Sequence, residues 1–163
     1  MRFDLKRWTA IALSAALMAA FPLLTSAKAL DDSLFDSAKE ALTLMSYGEY
    51  EKALNKLDFV NPPSEADFED FVCFELDDVL TQAVQTDVAV SFRRGKKVYL
   101  AIPVEEPSSR DVETLVLSSS NGAQFDGYRA ATWGDVTKLA NDDAGAVWNE
   151  PYDPGTLVVV PDE

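Results

Sequence analysis

The sequence predicts an α+β fold, with an N-terminal three-helix unit followed by a mainly antiparallel sheet of about five strands and one short helix near the C-terminus. Two observations carry that expectation. Apolar residues recur at spacings of three and four from residue 34 to residue 83, the period of a helix with one buried face. From Gln85 onward the period changes to alternation, in short β-branched and aromatic runs separated by turn residues.

The chain opens on a stretch that reads as a bacterial export signal. Arg2, Lys6 and Arg7 give it a basic start, and Trp8 to Leu24 is a 17-residue run without charge. Thr25-Ser26-Ala27-Lys28-Ala29 follows, with Ala27 and Ala29 small enough for the signal-peptidase pocket and cleavage expected before Leu30. The apolar run is shorter than the roughly 20 residues of a spanning helix, and Pro22 interrupts it. Residues 1–29 are therefore expected to be removed, leaving a secreted or extracytoplasmic protein with no stable membrane insertion. The alternative is an uncleaved N-terminal anchor.

The first helix after the leader takes its inner face from Leu34, Ala38, Ala41, Leu42 and Met45, with Asp32 or Ser33 as N-cap. Tyr47-Gly48 interrupts it. A second helix begins near Glu49, turns Tyr50, Ala53, Leu54 and Leu57 inward, and stops at Asn61-Pro62-Pro63, because proline cannot continue the hydrogen-bond ladder. Ala41, Gly48, Tyr50, Ala53 and Leu57 occupy small-residue, turn-glycine, aromatic and packing positions of a helix–turn–helix. On those residues, positions 34–63 resemble a single tetratricopeptide-type repeat. The resemblance implies helical-hairpin geometry and, weakly, a protein-binding role. A second copy is absent from the sequence, and such repeats need about three to bury their faces.

Ser64 is the N-cap expected for a third helix, with Glu65, Asp67, Glu69 and Asp70 in its first turns, where the helix dipole favours negative charge. Phe68, Phe71, Val72, Leu76, Val79, Leu80 and Ala83 form its apolar stripe. Residues 30–84 are thus an acidic helical unit, and residues 85–163 an antiparallel β unit expected to pack on it as one domain.

In the β unit, Thr86 to Phe92 and Lys97 to Val104 read as a hairpin around a basic turn, Arg93-Arg94-Gly95-Lys96. Asp111 to Ser118 is a third strand. Asn121-Gly122 is the strongest turn signal and suits a type I′ hairpin, with Ala123 to Thr132 returning as the fourth strand. Trp133 to Asn141 is expected as a short helix capped by Asp135 or Thr132, and Thr156 to Val160 as a fifth, very apolar strand.

Composition excludes several kinds of chemistry. The leader holds four of the chain's 14 basic side chains and one of its 28 acidic ones, so the remainder carries 10 against 27, a formal charge of −17. Such a field repels phosphate and argues against nucleic acid or anionic lipid as a partner. The sequence contains no histidine, which removes Ser-His-Asp and Cys-His mechanisms and histidine-ligated metals. Cys73, the single cysteine, has apolar neighbours in Phe71-Val72-Cys73-Phe74 and is expected to be a buried, inert thiol. The adjacent acids Asp77-Asp78, Glu105-Glu106 and Asp142-Asp143 read as solvated charge rather than a catalytic pair, and none has EF-hand spacing. No catalytic residue, metal or cofactor is assigned.

The remaining candidates are aromatic. Phe125, Tyr128, Trp133, Trp148 and Tyr152 lie close in sequence, interleaved with Arg129. Tryptophan in a small domain more often fills the core, yet exposed tryptophan and tyrosine anchor interfaces or stack on sugars. Tyr128, Arg129, Trp133, Trp148 and Tyr152 are accordingly the candidate partner-binding set. The function expected is an exported, non-enzymatic interaction protein binding a protein or envelope polymer, through this sheet-side set or a groove of the helical hairpin. Alternatives are a carboxylate-based hydrolase of envelope glycans and a structural protein that self-associates.

Overall fold

The computed structural model describes residues 32–76 and 86–149, which form three helices, a five-stranded antiparallel sheet and one further short helix. The fold is α+β. The region expected as a fifth strand at 156–160 and the distal half of the third helix's stripe lie outside the described residues, as do Tyr152 and the leader.

Helix α1 (Asp32–Ser46) buries Leu34, Ala38, Ala41, Leu42 and Met45, the face its periodicity marks. Asp32 and Ser33, expected as caps, already belong to the helix. Gly48 ends it with φ 72° and an N–H donated to the Met45 carbonyl at 2.9 Å, a left-handed conformation that costs glycine little. Helix α2 (Tyr50–Leu57) then packs back on α1, burying Ala53 and Leu57. It closes on Asp58, whose left-handed backbone (φ 46°) donates to the Leu54 carbonyl. The chain next touches the sheet once. Phe59 makes an isolated parallel bridge to Phe125, and the Val60 N–H reaches the Phe125 carbonyl at 2.9 Å. Pro62 and Pro63 have no N–H to prolong that pairing. Helix α3 (Glu65–Glu75) follows, with the Ser64 hydroxyl accepting from the Asp67 N–H as N-cap and with Phe68, Val72 and Leu76 buried.

Strands β1 (Val90–Arg94), β2 (Lys97–Pro103), β3 (Glu113–Ser119), β4 (Gly127–Thr132) and β5 (Val147–Trp148) lie in the order β4-β3-β2-β1-β5. The β1–β2 turn is tighter than expected. Arg93 and Arg94 pair with Val98 and Lys97, so only Gly95 (φ 63°) and Lys96 form the loop. A glycine at the first central position suits the right-handed twist of the flanking strands.

The Asn121-Gly122 expectation is corrected. Loop 120–126 joins β3 to β4, and Asn121 does not adopt the positive φ a type I′ turn requires. Its side-chain oxygen instead accepts from the Ala123 and Gln124 N–H groups at 2.8 and 2.9 Å. The Ser119 hydroxyl accepts from the Gly122 N–H and donates to the Gln124 carbonyl. Side-chain acceptors that satisfy backbone groups locally compete with the two-residue turn, and the wider loop carries Phe125 to its bridge with Phe59.

Each face of the sheet has its own core. On one face Leu100, Ile102, Leu115 and Leu117 join the buried residues of α1, α2 and α3 in a single cluster. On the other, Val90, Phe92, Ala101 and Val116 pack against Trp133, Val136 and Ala140 of helix α4 (Trp133–Asn141). Thr132 caps α4, its hydroxyl accepting from the Asp135 N–H.

The two sheet edges differ. Residues on an antiparallel strand alternate between bonding one neighbour and the other. Bonds from Val104 N–H to Glu113 C=O and from Trp133 N–H to Val112 C=O set the phase. On β1 the outward groups are used: Asn149 bonds the Ala89 carbonyl, and the Arg93 N–H donates to the Asp143 carboxylate at 2.7 Å. On β4 the same phase turns the N–H and C=O of Tyr128, Ala130 and Thr132 away from β3. Among the described residues no strand lies beside them.

Candidate functional site

The open edge of β4 borders a groove with α3. The cavity holds about 490 Å³ and is lined by Asp67, Asp70, Phe71, Phe74, Tyr128 and Arg129, among others. Its floor is aromatic because the α3 stripe and the inward positions of β4 meet there. The Tyr128 ring lies 4.6 Å from Phe71 and 5.5 Å from both Phe68 and Phe59, in tilted and edge-to-face arrangements. Such geometries suit the ring quadrupole. Phe74 stands above it, 81% exposed. The α3 wall is acidic through Asp67, Asp70 and Glu75, and Arg129 is the one basic lining residue. Burial pushes the Tyr128 hydroxyl above the ordinary phenol range, and the Asp67 carboxylate adds to the effect.

The structure divides the aromatic set that the sequence groups. Tyr128 and Arg129 line the α3–β4 groove. Trp133 is fully buried on the opposite face of the sheet and offers no surface to a partner. Trp148 packs edge-on against it, with ring centroids 6.0 Å apart, and is half-buried. The chain crosses from one sheet face to the other where β4 passes into α4, so nearness in sequence does not bring these rings together. Phe71 and Phe74, which complete the groove, are absent from the expected set. The signal for Phe74 is its place off the helical stripe: an apolar residue at the wrong angle for the core.

Cys73 is corrected as well. It is exposed, since the helical turn that buries Val72 directs the next residue outward. Its sulfur lies 3.6 Å from the Tyr50 hydroxyl. That contact, followed by desolvation and by repulsion from neighbouring groups including Glu69, pushes the Tyr50 phenol up to about 12.

Two other concavities lack an aromatic floor. A cavity of about 590 Å³ beside α4 is lined by Arg110, Asp111, Asp135, Lys138 and Asp142, with mixed charge. The hairpin groove, about 290 Å³ between α1 and α2, is lined by both Lys56 and Glu40, which pair at 2.8 Å. The larger volume alone does not make the better site, because specific ligand sites combine apolar area with a few convergent polar groups.

The basic hairpin tip meets acids of its own chain. Lys97 pairs with Asp126 at 3.0 Å. Asp126 also accepts from the Ser118 hydroxyl at 2.7 Å and from Ser120. Desolvation works against its charged form, but the hydrogen bonds from Ser120, Ser118 and Lys97, with the Lys97 charge, bring the carboxyl down to about 2. Asp143 is likewise held below the usual carboxylate range by the N–H groups of Arg93 and Gly145. Both carboxylates are structural ties, one in the β3–β4 loop and one at the β1 edge.

Among the described residues no helix is long and apolar enough to cross a membrane, and no three potential ligand side chains gather as a metal site. Comparison with protein-family models, curated proteins and solved structures finds no match for this chain.

Proposed function

We propose that this chain is an exported, non-enzymatic interaction protein that binds a protein partner through the α3–β4 groove. The observation that carries the proposal is the groove itself: an aromatic floor, an exposed Phe74 and an acidic wall, beside a strand whose outer edge has no partner strand among the described residues. Aromatic anchors in a preformed cleft with a polar rim are the usual makings of an interface hot spot. Export rests on the basic and apolar character of residues 1–29.

A photo-crosslinking residue at position 74, compared with one at Tyr47, an exposed aromatic on the helical hairpin turn, tests the proposal. In an extracytoplasmic extract from the producing cell, position 74 is expected to give one saturable protein adduct and position 47 none. Equal labelling at both positions would reject the groove. Turnover of an envelope glycan that a single carboxylate-to-amide change abolishes would reject the non-enzymatic reading.

A further inference from the structure

We infer that the occupant of the α3–β4 groove is an extended, lysine- or arginine-bearing polypeptide segment that adds to β4 as a sixth strand; this rests on the groove being the binding surface. Three features converge on that occupant. The first is the backbone. Tyr128, Ala130 and Thr132 direct their N–H and C=O groups outward, and Tyr128, Arg129 and Ala130 line the cavity consecutively. A groove bordered by consecutive strand residues suits an extended chain.

The second is the contrast between edges. The β1 side is blunted, with β5 bonded to it and the Asp143 carboxylate on the Arg93 N–H. Proteins ordinarily protect exposed edges in this way, and β4 lacks that protection among the described residues. Just before β4 begins, an isolated bridge from Phe59 to Phe125 already pairs the chain on this side. Pro62 and Pro63 cannot prolong that pairing, and among the described residues no strand lies against the outer edge of residues 127–132.

The third is charge. Asp67, Asp70 and Glu75 face the groove against Arg129 alone, on a chain whose net charge is −14. A basic segment is attracted to it and an acidic one repelled. The chain's own apolar run, Leu157-Val158-Val159-Val160, is a poorer occupant on the same ground. The residues after Asn149 include Glu150, Asp153, Asp162 and Glu163 and no basic side chain. Six residues of β4 match a peptide of about 20 Å at roughly 3.3 Å per residue.

The probe is an acetylated and amidated eight-residue peptide of alternating lysine and valine, titrated into the full chain by calorimetry. Controls are the glutamate–valine counterpart and the lysine–valine peptide N-methylated at alternate amides, which keeps its charge but loses strand donors. The lysine–valine peptide is expected to bind at least tenfold more tightly than either control and to slow amide exchange at Tyr128, Ala130 and Thr132. Ala130→Pro removes one outward donor at an edge position that tolerates proline, and it is expected to abolish binding. If that variant fails to fold, Asp70→Lys with Glu75→Lys is expected to weaken binding at least tenfold.

Equal binding of lysine–valine and N-methylated peptides would overturn strand addition, and equal binding of the glutamate–valine peptide would overturn the basic occupant. Binding that appears only after residues 150–163 are deleted would assign the edge to the chain's own tail. A dimer that Ala130→Pro dissolves would assign it to a second copy. Each of these outcomes overturns the peptide as occupant while a position-74 adduct can still stand, so the two proposals fail separately.

Discussion

Asp126 shows how one exposed-loop residue can organise a connection. It collects Ser118, Ser120 and Lys97 on its carboxylate, so the β3–β4 loop is tied to both β3 and the start of β2. Its folded pKa of about 2 lies below the ordinary aspartate value of 3.8. A depressed carboxylate contributes stability that is present above the unfolded pKa and is lost as pH falls through the folded one. Asp126→Asn is therefore expected to lower stability by about 1 kcal/mol at pH 6, allowing for solvent around the group. The gap between wild type and variant should narrow from about pH 5 and close near pH 1, below both the unfolded and the folded pKa. Urea titrations at a series of pH values would measure it, and a gap that persists undiminished at about pH 1 would show that the carboxylate charge is not responsible. At this scale the sequence was readable where the cause is local. Ser64 and Thr132 are caps because a hydroxyl reaches an N–H three residues on. Cys73 was misread because its apolar neighbours are close in sequence while the helix separates them by angle.

Elements were legible where their signals repeat. The inward stripes of α1 and α2, and that of α3 as far as Leu76, follow from spacing alone, and Trp133–Asn141 is a helix with the boundaries expected. Loop 120–126 was not legible, since its form depends on side-chain acceptors and on the distant Phe59. The groove was half legible for the same reason. Tyr128 and Arg129 could be singled out as polar-tipped residues near other aromatics, but Phe71 and Phe74 reach them only through packing of α3 on the sheet. Gly134 sets how closely α4 meets residue 110. A Cβ at Gly134 would lie 2.8 Å from the Arg110 Cβ and 3.2 Å from the Arg110 carbonyl oxygen, and that carbonyl accepts the Gly134 N–H at 2.8 Å. Gly134→Ala is expected to cost about 1–3 kcal/mol by forcing α4 away from residue 110. Ser64→Ala is expected to cost about 1 kcal/mol through the lost cap of α3. Thermal melts of both variants check the two values. A neutral Gly134→Ala would mean that the Arg110 turn yields easily.

On the scale of the whole molecule, the sheet is a shared wall between two cores, and its central strands serve both. Leu115 and Leu117 face the helical hairpin and α3, while Val116 between them faces α4 and Trp133. A defect in either core therefore acts on the same strand, which predicts joint unfolding rather than separate melting of helical and β parts. Phe68 is the sharpest place to test this, being fully buried, on α3, and in ring contact with Tyr128 of the sheet. Phe68→Ala is expected to cost about 3–5 kcal/mol. Helix content can be followed by far-ultraviolet dichroism. With Trp8 replaced by Phe, tryptophan emission reports Trp133 and Trp148 on the far side of the sheet. The two signals should shift to lower denaturant together and keep a common midpoint. If dichroism shifts while emission stays, the cores unfold independently, and the groove, which needs α3 and β4 in register, would open without disturbing the tryptophan face.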